Sequence, residues 1–155
     1  MEYYLQVHWP DLDVKITSVT EQWAAMALAG PKSRQILSKL IPAVNVDNEN
    51  FPFMGVLELS VEGVPARIFR ISFSGELSYE INVPADFGEF IWGRVLDLGR
   101  PYGIQPYGTE AMGIMRIEKG HVAGPELDGR MTASDLGLQK LVSTKKDFIG
   151  SVMMQ

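Results

Sequence analysis

The 155-residue chain contains no cysteine and only two histidines, His8 and His121. The lack of cysteine excludes disulfides, iron–sulfur clusters and zinc sites built from thiolates, and two distant imidazoles do not predict a metal site. Basic residues number 14 against 19 acidic ones, which gives a formal net charge of −5. A nucleic-acid surface needs clustered Lys and Arg, so we expect no nucleic-acid partner.

Long apolar runs are also absent. No stretch reaches the ~18 residues that a membrane-spanning helix requires, and the N-terminus lacks the basic and apolar segments of a signal peptide. We therefore expect a cytoplasmic protein with no membrane partner. Hydrophobic residues make up 46% of the chain and charged residues 21%, which is typical of a globular domain with a buried core.

The first third of the sequence predicts two strands and a helix. Residues 14–19 and Trp23–Ala29 are rich in β-branched or apolar residues and flank a turn at Thr20–Gln22. Pro31 is expected at the first position of a helix, since its fixed φ suits that position. Apolar residues then recur at helical spacing until Pro42 ends the helix.

Three further strands are predicted at residues 55–61, 66–73 and 78–83, where apolar and polar residues alternate. Glu62 and Gly63 form the tight turn between the first two, because glycine tolerates positive φ. Pro65 is compatible only with the start or the edge of a strand.

Two more helices are predicted in the second half. Asp86 and Glu89 resemble a capping box, and the helix after them ends at Gly99 with an apolar face of Phe87, Phe90, Ile91, Val95 and Leu98. Another helix is expected at Thr109–Lys119, ending at Gly120. The fold class predicted is α+β, an antiparallel sheet with helices packed on one side.

Alternation also separates the last predicted strand into two faces. Tyr79, Ile81 and Val83 point inward, so Glu80 shares the outer face with Asn82. By itself this pattern is typical of the wet side of a sheet.

The sequence contains no catalytic or nucleotide-binding motif: G-x-S-x-G, G-x-G-x-x-G and the P-loop are all missing. His121 lies in a glycine-rich stretch and is interpreted as a loop residue without a catalytic role. Arg116 lies among apolar residues, so it is expected to pair with a carboxylate, with Glu118 or Asp128 as partners, or alternatively to contact a ligand.

Residues 70–84 (RISFSGELSYEINVP) resemble the R-x-S/G-Y/F-T/S-G-E-x-G-Y/F-E-I-x-x-P signature of the glycine-cleavage T-protein (aminomethyltransferase) family. Three more segments match elements of that family in order and spacing: residues 27–34 (ALAGPKSR), 108–120 (GTEAMGIMRIEKG) and 147–150 (DFIG). Together these motifs cover nearly the whole chain.

Within the family, the resemblance is strongest to the large (alpha) subunit of heterotetrameric sarcosine oxidase. It rests on residues 17–23, 108–112, 126–130 and 135–138. The resemblance implies an aminomethyltransferase folate-binding-domain-like fold. We interpret residues 1–146 as part of such a domain and 147–155 as the start of a truncated C-terminal segment.

The resemblance also implies a tetrahydrofolate site. Glu80 matches the family glutamate that binds the pterin ring, and Phe73 stands where the family often has a stacking Tyr. Met112 replaces the Arg of the family's A-R-D element, and Arg116 is the remaining candidate contact. The family's catalytic Asp belongs to an upstream half that this sequence lacks, so no catalytic residue is assigned.

The implied activity is oxidative demethylation of sarcosine to glycine, with one-carbon transfer to tetrahydrofolate. FAD, FMN and NAD are expected only elsewhere in the complex. Expected partners are the other sarcosine oxidase subunits and the N-terminal part of the same polypeptide, and the fragment alone is expected to be inactive. The alternatives are a stand-alone aminomethyltransferase, a dimethylglycine-dehydrogenase-like protein, or a non-catalytic folate-binding or structural module.

Overall fold

The computed structural model describes residues 1–154. Its contacts divide into two compact units, one formed by Met1–Ser72 with Glu76–Gln105 and the other by Phe73–Gly75 with the described residues from Pro106 onward. The first unit contains the sheet. The predicted C-terminal segment, 147–155, ends outside the described residues.

Among the described residues, one antiparallel sheet is formed by β1 (Trp23–Ala29), β2 (Val56–Val61), β3 (Val64–Phe69) and β4 (Ser78–Pro84). The strand order is β1-β4-β3-β2, so β4 lies between the first strand and the β2–β3 hairpin. β1 and β2 therefore form opposite edges of the sheet, and residues 30–55 connect them.

Four α-helices occur in the described chain: α1 (Glu2–Val7), α2 (Ser33–Leu40), α3 (Gly88–Gly99) and α4 (Thr109–Lys119). Helices α2 and α3 pack on one face of the sheet, and α4 belongs to the second unit. The side chains least exposed in the core include Leu37, Phe51, Ile68, Tyr79, Ile81, Val83 and Ile91. The predicted α+β class, with helices on one side of an antiparallel sheet, is confirmed.

The turn between β2 and β3 confirms the local prediction. Glu62 has φ 50° and Gly63 has φ 88°, and Val61 pairs with Val64 across this two-residue loop. Positive φ at both central residues is the requirement of a type I′ hairpin turn. Pro65 is tolerated near the start of β3 because β4 pairs with β3 only from Arg67 onward.

The strand predicted at residues 14–19 is wrong, because this segment is irregular and exposed in the described chain. β-branched residues favour a strand only when a neighbouring strand satisfies the backbone groups, and none pairs with this segment. The strand predicted at 66–73 also ends early, at Phe69. Phe73 therefore lies in the connection to β4.

The predicted capping box at Asp86 and Glu89 is wrong. A 3-10 turn at Ala85–Phe87 precedes α3, so the N-cap position falls on Phe87, whose side chain makes no capping hydrogen bond. Phe87 and Phe90 were predicted to face the core but are about half exposed, whereas Ile91 is buried. Helix α2 begins at Ser33, two residues after the predicted Pro31.

Candidate functional site

The face of the sheet opposite the helices carries Glu80. In an antiparallel pair, residues directly opposite each other point to the same face. Glu80 on β4 lies between Ala27 on β1 and Phe69 on β3, and two residues further along Asn82 lies between Ala25 and Arg67. We call this surface, defined by Glu80, Asn82 and their strand neighbours, the outer face.

The carboxylate of Glu80 is held by a neighbour on its own strand. Nδ2 of Asn82 donates a hydrogen bond of 3.0 Å to Oε1 of Glu80. Both residues are half-buried, so the carboxylate is oriented by the sheet while part of it stays accessible. The second oxygen, Oε2, has no hydrogen-bond partner among the described residues and is available as an acceptor.

The two strand neighbours of Glu80 shape the surface around it. Ala27 is exposed and presents only a methyl group, whereas Phe69 is half-buried and places an aromatic ring on the other side. The carboxylate therefore has a small side chain on one side and an aromatic side chain on the other. The sequence motifs singled out Phe73 and not Phe69, which is the aromatic residue that pairs with Glu80 across β3 and β4.

Arg70, the first residue of the signature, has a structural role. Its backbone N–H donates to the oxygen of Gly55, and its carbonyl accepts from the N–H of Met54, each at 2.9 Å. Nη1 of Arg70 donates to the carbonyl oxygen of Phe51 at 2.6 Å. Arg70 therefore fixes the tight turn before β2, where Met54 has a positive φ of 69°.

Phe73 belongs to the second unit, where its ring lies against His121. The ring centroids are 4.9 Å apart with planes inclined at 54°, and Phe73 is 39% exposed. One role of His121 is thus aromatic packing within this unit. The predicted stacking of Phe73 on a ligand stays a prediction.

Met112 and Arg116 lie one turn apart on α4, which has the predicted bounds and ends at Gly120 in the left-handed conformation (φ 74°). Met112 is half-buried, and Arg116 is only 8% exposed. Gly120 suits this position because a residue without Cβ adopts positive φ at little cost.

Arg116 forms an ion pair, as one of the two sequence interpretations expected, but with a different partner. Nη1 of Arg116 donates to Oε2 of Glu126 at 2.5 Å, and the same oxygen accepts from the N–H of Ala123 at 2.9 Å. The expected partners, Glu118 and Asp128, are wrong: Asp128 pairs with Arg130 instead. A ligand contact for Arg116 stays a prediction.

The ion pair with Arg116 lowers the pKa of the Glu126 carboxyl. The hydrogen bond from Arg116 and, next in size, the one from the Ala123 backbone lower the pKa of the Glu126 carboxyl below its ordinary value of 4.5. An ionised carboxylate beside a guanidinium is favoured, because opposite charges stabilise the charged form of each. The pair therefore ties α4 to the loop that follows it.

The four predicted site residues do not all belong to one unit. Glu80 lies in the first unit, while Phe73, Met112 and Arg116 lie in the second.

No helix of residues 1–154 is both long and apolar enough to cross a membrane. In the same residues, no three His, Asp or Glu side chains converge in a way that would hold a metal ion.

A family profile described as the GCVT N-terminal domain matches residues 1–146. The chain belongs to this family. All four predicted site residues lie inside the matched region, and the resemblance found from the motifs is confirmed.

Relatives of this GCVT-family chain include a sarcosine oxidase subunit alpha from Rhizobium meliloti (strain 1021), 48% identical over 158 residues, which covers 100% of the chain and 16% of the relative. Human mitochondrial dimethylglycine dehydrogenase is 31% identical over 141 residues, covering 89% of the chain and 16% of the relative. An aminomethyltransferase from Leptospira interrogans is 30% identical over 145 residues, covering 93% and 38% respectively. The chain therefore spans a small part of the length of the first of these relatives.

Proposed function

We propose that this chain contributes the pterin-binding carboxylate of a tetrahydrofolate site within a larger enzyme. The observation that carries the proposal is the position of Glu80: its carboxylate is oriented by Asn82 on the outer face, between the methyl group of Ala27 and the ring of Phe69. A pterin offers a ring N–H and a 2-amino group side by side, which match the two oxygens of a carboxylate.

The residues present fit this group. A bidentate hydrogen bond to an ionised acceptor is shorter and stronger than one between neutral groups. Asn82 restricts the rotation of the carboxylate before the ligand arrives, so less side-chain freedom is lost on binding. Asn82 was not singled out as a site residue by the sequence, and we assign it a positioning role here.

We further propose that the complete enzyme is a sarcosine oxidase, in which a flavin bound elsewhere in the assembly would take two electrons from sarcosine and the bond between nitrogen and the oxidised methyl carbon would break to release glycine. Bound tetrahydrofolate would accept the one-carbon unit and give 5,10-methylenetetrahydrofolate. The contribution of this chain is to hold the folate in a reactive orientation, which lowers the entropic part of the barrier. Flavin and nicotinamide sites, and the partner subunits, are assigned to other parts of the assembly.

Phe73, Met112 and Arg116, which belong to the second unit, remain proposed folate contacts. Phe73 packs on His121, and the guanidinium of Arg116 is engaged by Glu126. Met112 carries no charge at the position where the family has Arg. We therefore place the strongest folate interaction of this chain at Glu80.

The test is isothermal titration of the purified full-length protein with folinic acid. We expect Glu80→Gln to weaken binding by roughly 10- to 100-fold, because hydrogen bonds to a charged group contribute about 1.5–3 kcal/mol and about 1.4 kcal/mol is a factor of ten. Gln keeps the shape of Glu but loses the charge and one acceptor oxygen.

The matched control is Glu89→Gln, which removes an exposed carboxylate from α3 and is expected to leave the affinity unchanged. Equal affinity of wild type and the Glu80→Gln variant would remove Glu80 from the site. Absence of any binding by the wild-type protein would overturn the proposed function as a whole.

A further inference from the structure

A cation lies on the outer face beyond Glu80. Arg67 on β3 is directly opposite Asn82 on β4. The guanidinium carbon of Arg67 lies 4.9 Å from the centroid of the Trp23 ring, and Nε donates to Oε1 of Glu58 at 2.8 Å. All of these residues belong to the first unit.

The guanidinium of Arg67 is held in place, but not all of its hydrogen-bond donors are used. Only Nε makes a hydrogen bond among the described residues, so Nη1 and Nη2 keep their donors free. The side chain of Arg67 is 50% exposed and that of Glu58 is 69% exposed. An exposed pair of this kind contributes little, so it does not prevent a second carboxylate from binding.

Stacking on Trp23 gives this guanidinium a defined plane. A flat cation held over an aromatic ring loses little further freedom when it binds a carboxylate through its two terminal nitrogens. Arg and carboxylate match in bidentate geometry, and both hydrogen bonds are strengthened by charge. The Arg67–Trp23 pair is therefore suited to a carboxylate ligand.

The spacing along the strand relates this cation to Glu80. Trp23 pairs with Pro84, four residues beyond Glu80 on β4. Arg67 itself is level with Asn82, two residues beyond Glu80, so the Arg67–Trp23 pair lies roughly 7–13 Å along β4 from Glu80 at ~3.3 Å per residue. Folates carry the pterin ring at one end and the glutamyl carboxylates at the other, with a p-aminobenzoyl group between them. Glu80 would recognise the pterin end, and Arg67 would recognise the carboxylate end.

We propose that Arg67, held over Trp23, binds a glutamyl carboxylate of the folate whose pterin ring is held by Glu80. The inference rests on the proposed function. It adds a carboxylate-binding subsite and gives the folate a direction along the outer face, from Glu80 toward the guanidinium of Arg67 over Trp23. Glu58 stays on Nε of Arg67, and its negative charge disfavours a second carboxylate at the terminal nitrogens.

The experiment compares two ligands that differ only at the tail. Folinic acid carries both glutamyl carboxylates, and its bis-amide carries uncharged carboxamides of the same size. Titration calorimetry of the full-length protein is expected to show about a 10-fold preference for folinic acid, the factor that corresponds to the loss of one charge-assisted contact. In Arg67→Met this preference is expected to disappear while affinity for the bis-amide stays at the wild-type value.

Two further variants sharpen the result. Glu58→Gln is expected to increase the preference for folinic acid, because it removes a negative charge that repels the ligand carboxylate. Arg100→Met is the charge-matched control: Arg100 is exposed and pairs with Asp97, and its loss is expected to leave the preference intact. A circular dichroism melt of each variant confirms that it is folded.

The outcomes separate the two proposals. If both ligands bind wild type equally, or if Arg67→Met keeps the preference, the carboxylate subsite is overturned while the pterin site at Glu80 stands. If neither ligand binds wild type, or if Glu80→Gln binds both as tightly as wild type, the proposed function itself is overturned.

Discussion

Single hydrogen bonds fix the start of the strand that carries Glu80. Ser33, at the beginning of α2, is 2% exposed, and its Oγ donates to the carbonyl oxygen of Leu77 at 2.9 Å. The N–H of Gly30 donates to the same oxygen, also at 2.9 Å. The helix is thereby tied to the residue that precedes β4.

Substitution of Ser33 by Ala is expected to lower the free energy of unfolding by about 1 kcal/mol, the usual net value of a hydrogen bond. The loss stays small because the Leu77 oxygen keeps its bond from Gly30. Urea unfolding of the chain, followed by circular dichroism, measures the change. Ser38→Ala is the comparison, because Ser38 is exposed and its hydroxyl donates to the Arg34 carbonyl within its own helix. We expect this substitution to lower the free energy of unfolding less than Ser33→Ala. An equal decrease would contradict our explanation that the hydrogen bond of Ser33 matters because it is buried.

At the scale of elements, the β2–β3 hairpin depends on its two turn residues. Glu62 adopts a positive φ that glycine or asparagine would adopt more easily, but its carboxylate accepts hydrogen bonds from Nε and Nη2 of Arg94 on α3, at 2.8 and 2.7 Å. Glu62 therefore fits the turn less well than glycine or asparagine would, but its ion pair with Arg94 connects the hairpin to α3, which packs on the sheet.

Two glycines test this view of backbone conformation in opposite directions. Gly63→Ala is expected to destabilise the chain by about 1–2 kcal/mol, because φ 88° strains a residue with Cβ. Gly93→Ala, inside α3, is expected to stabilise by about 0.5–1 kcal/mol, since an added Cβ meets open space and Ala is the better helix former. Chemical denaturation of both variants checks the signs, and stabilisation by Gly63→Ala would contradict the type I′ turn.

For the whole molecule, carboxylates with lowered pKa make stability depend on pH. Hydrogen bonds to Arg94 lower the pKa of Glu62, bonds from Asn50 lower that of Asp47, and Arg116 lowers that of Glu126. A carboxyl with a lower pKa in the folded state binds protons more readily when unfolded. Its stabilising effect is therefore complete above the unfolded pKa and is lost as the pH falls through the folded pKa.

The melting temperature is accordingly expected to fall as the pH is lowered below about 4.5, the ordinary value for Glu. Thermal melts of the chain between pH 7 and pH 3 measure the slope. Glu62→Gln and Glu126→Gln are expected to melt below wild type at pH 7, and the difference is expected to narrow as the pH falls and the wild-type carboxyls become protonated. A gap that persists unchanged at pH 3 would show that the lost contact, and not the charge, matters.

Local chemistry in the sequence determined the bounds of several elements. Helix α4 follows from apolar spacing and the glycine at 120, and the hairpin follows from Glu62–Gly63 between alternating strands. The outward direction of Glu80 follows from Tyr79 and Ile81 on either side of it. Each of these features depends on residues within one or two turns or strand positions, so short-range patterns suffice to predict it.

Tertiary structure alone decided which residues meet. Phe69 lies opposite Glu80 because of the register in which β3 pairs with β4. Arg67 and Trp23 come together on one face of the sheet because only β4 separates their two strands. Glu126 became the partner of Arg116 through the loop after α4, and residues 14–19 did not form a strand. Strand register, strand order and the presence of a pairing partner depend on hydrogen bonds between distant segments, and no local pattern of residue types encodes those.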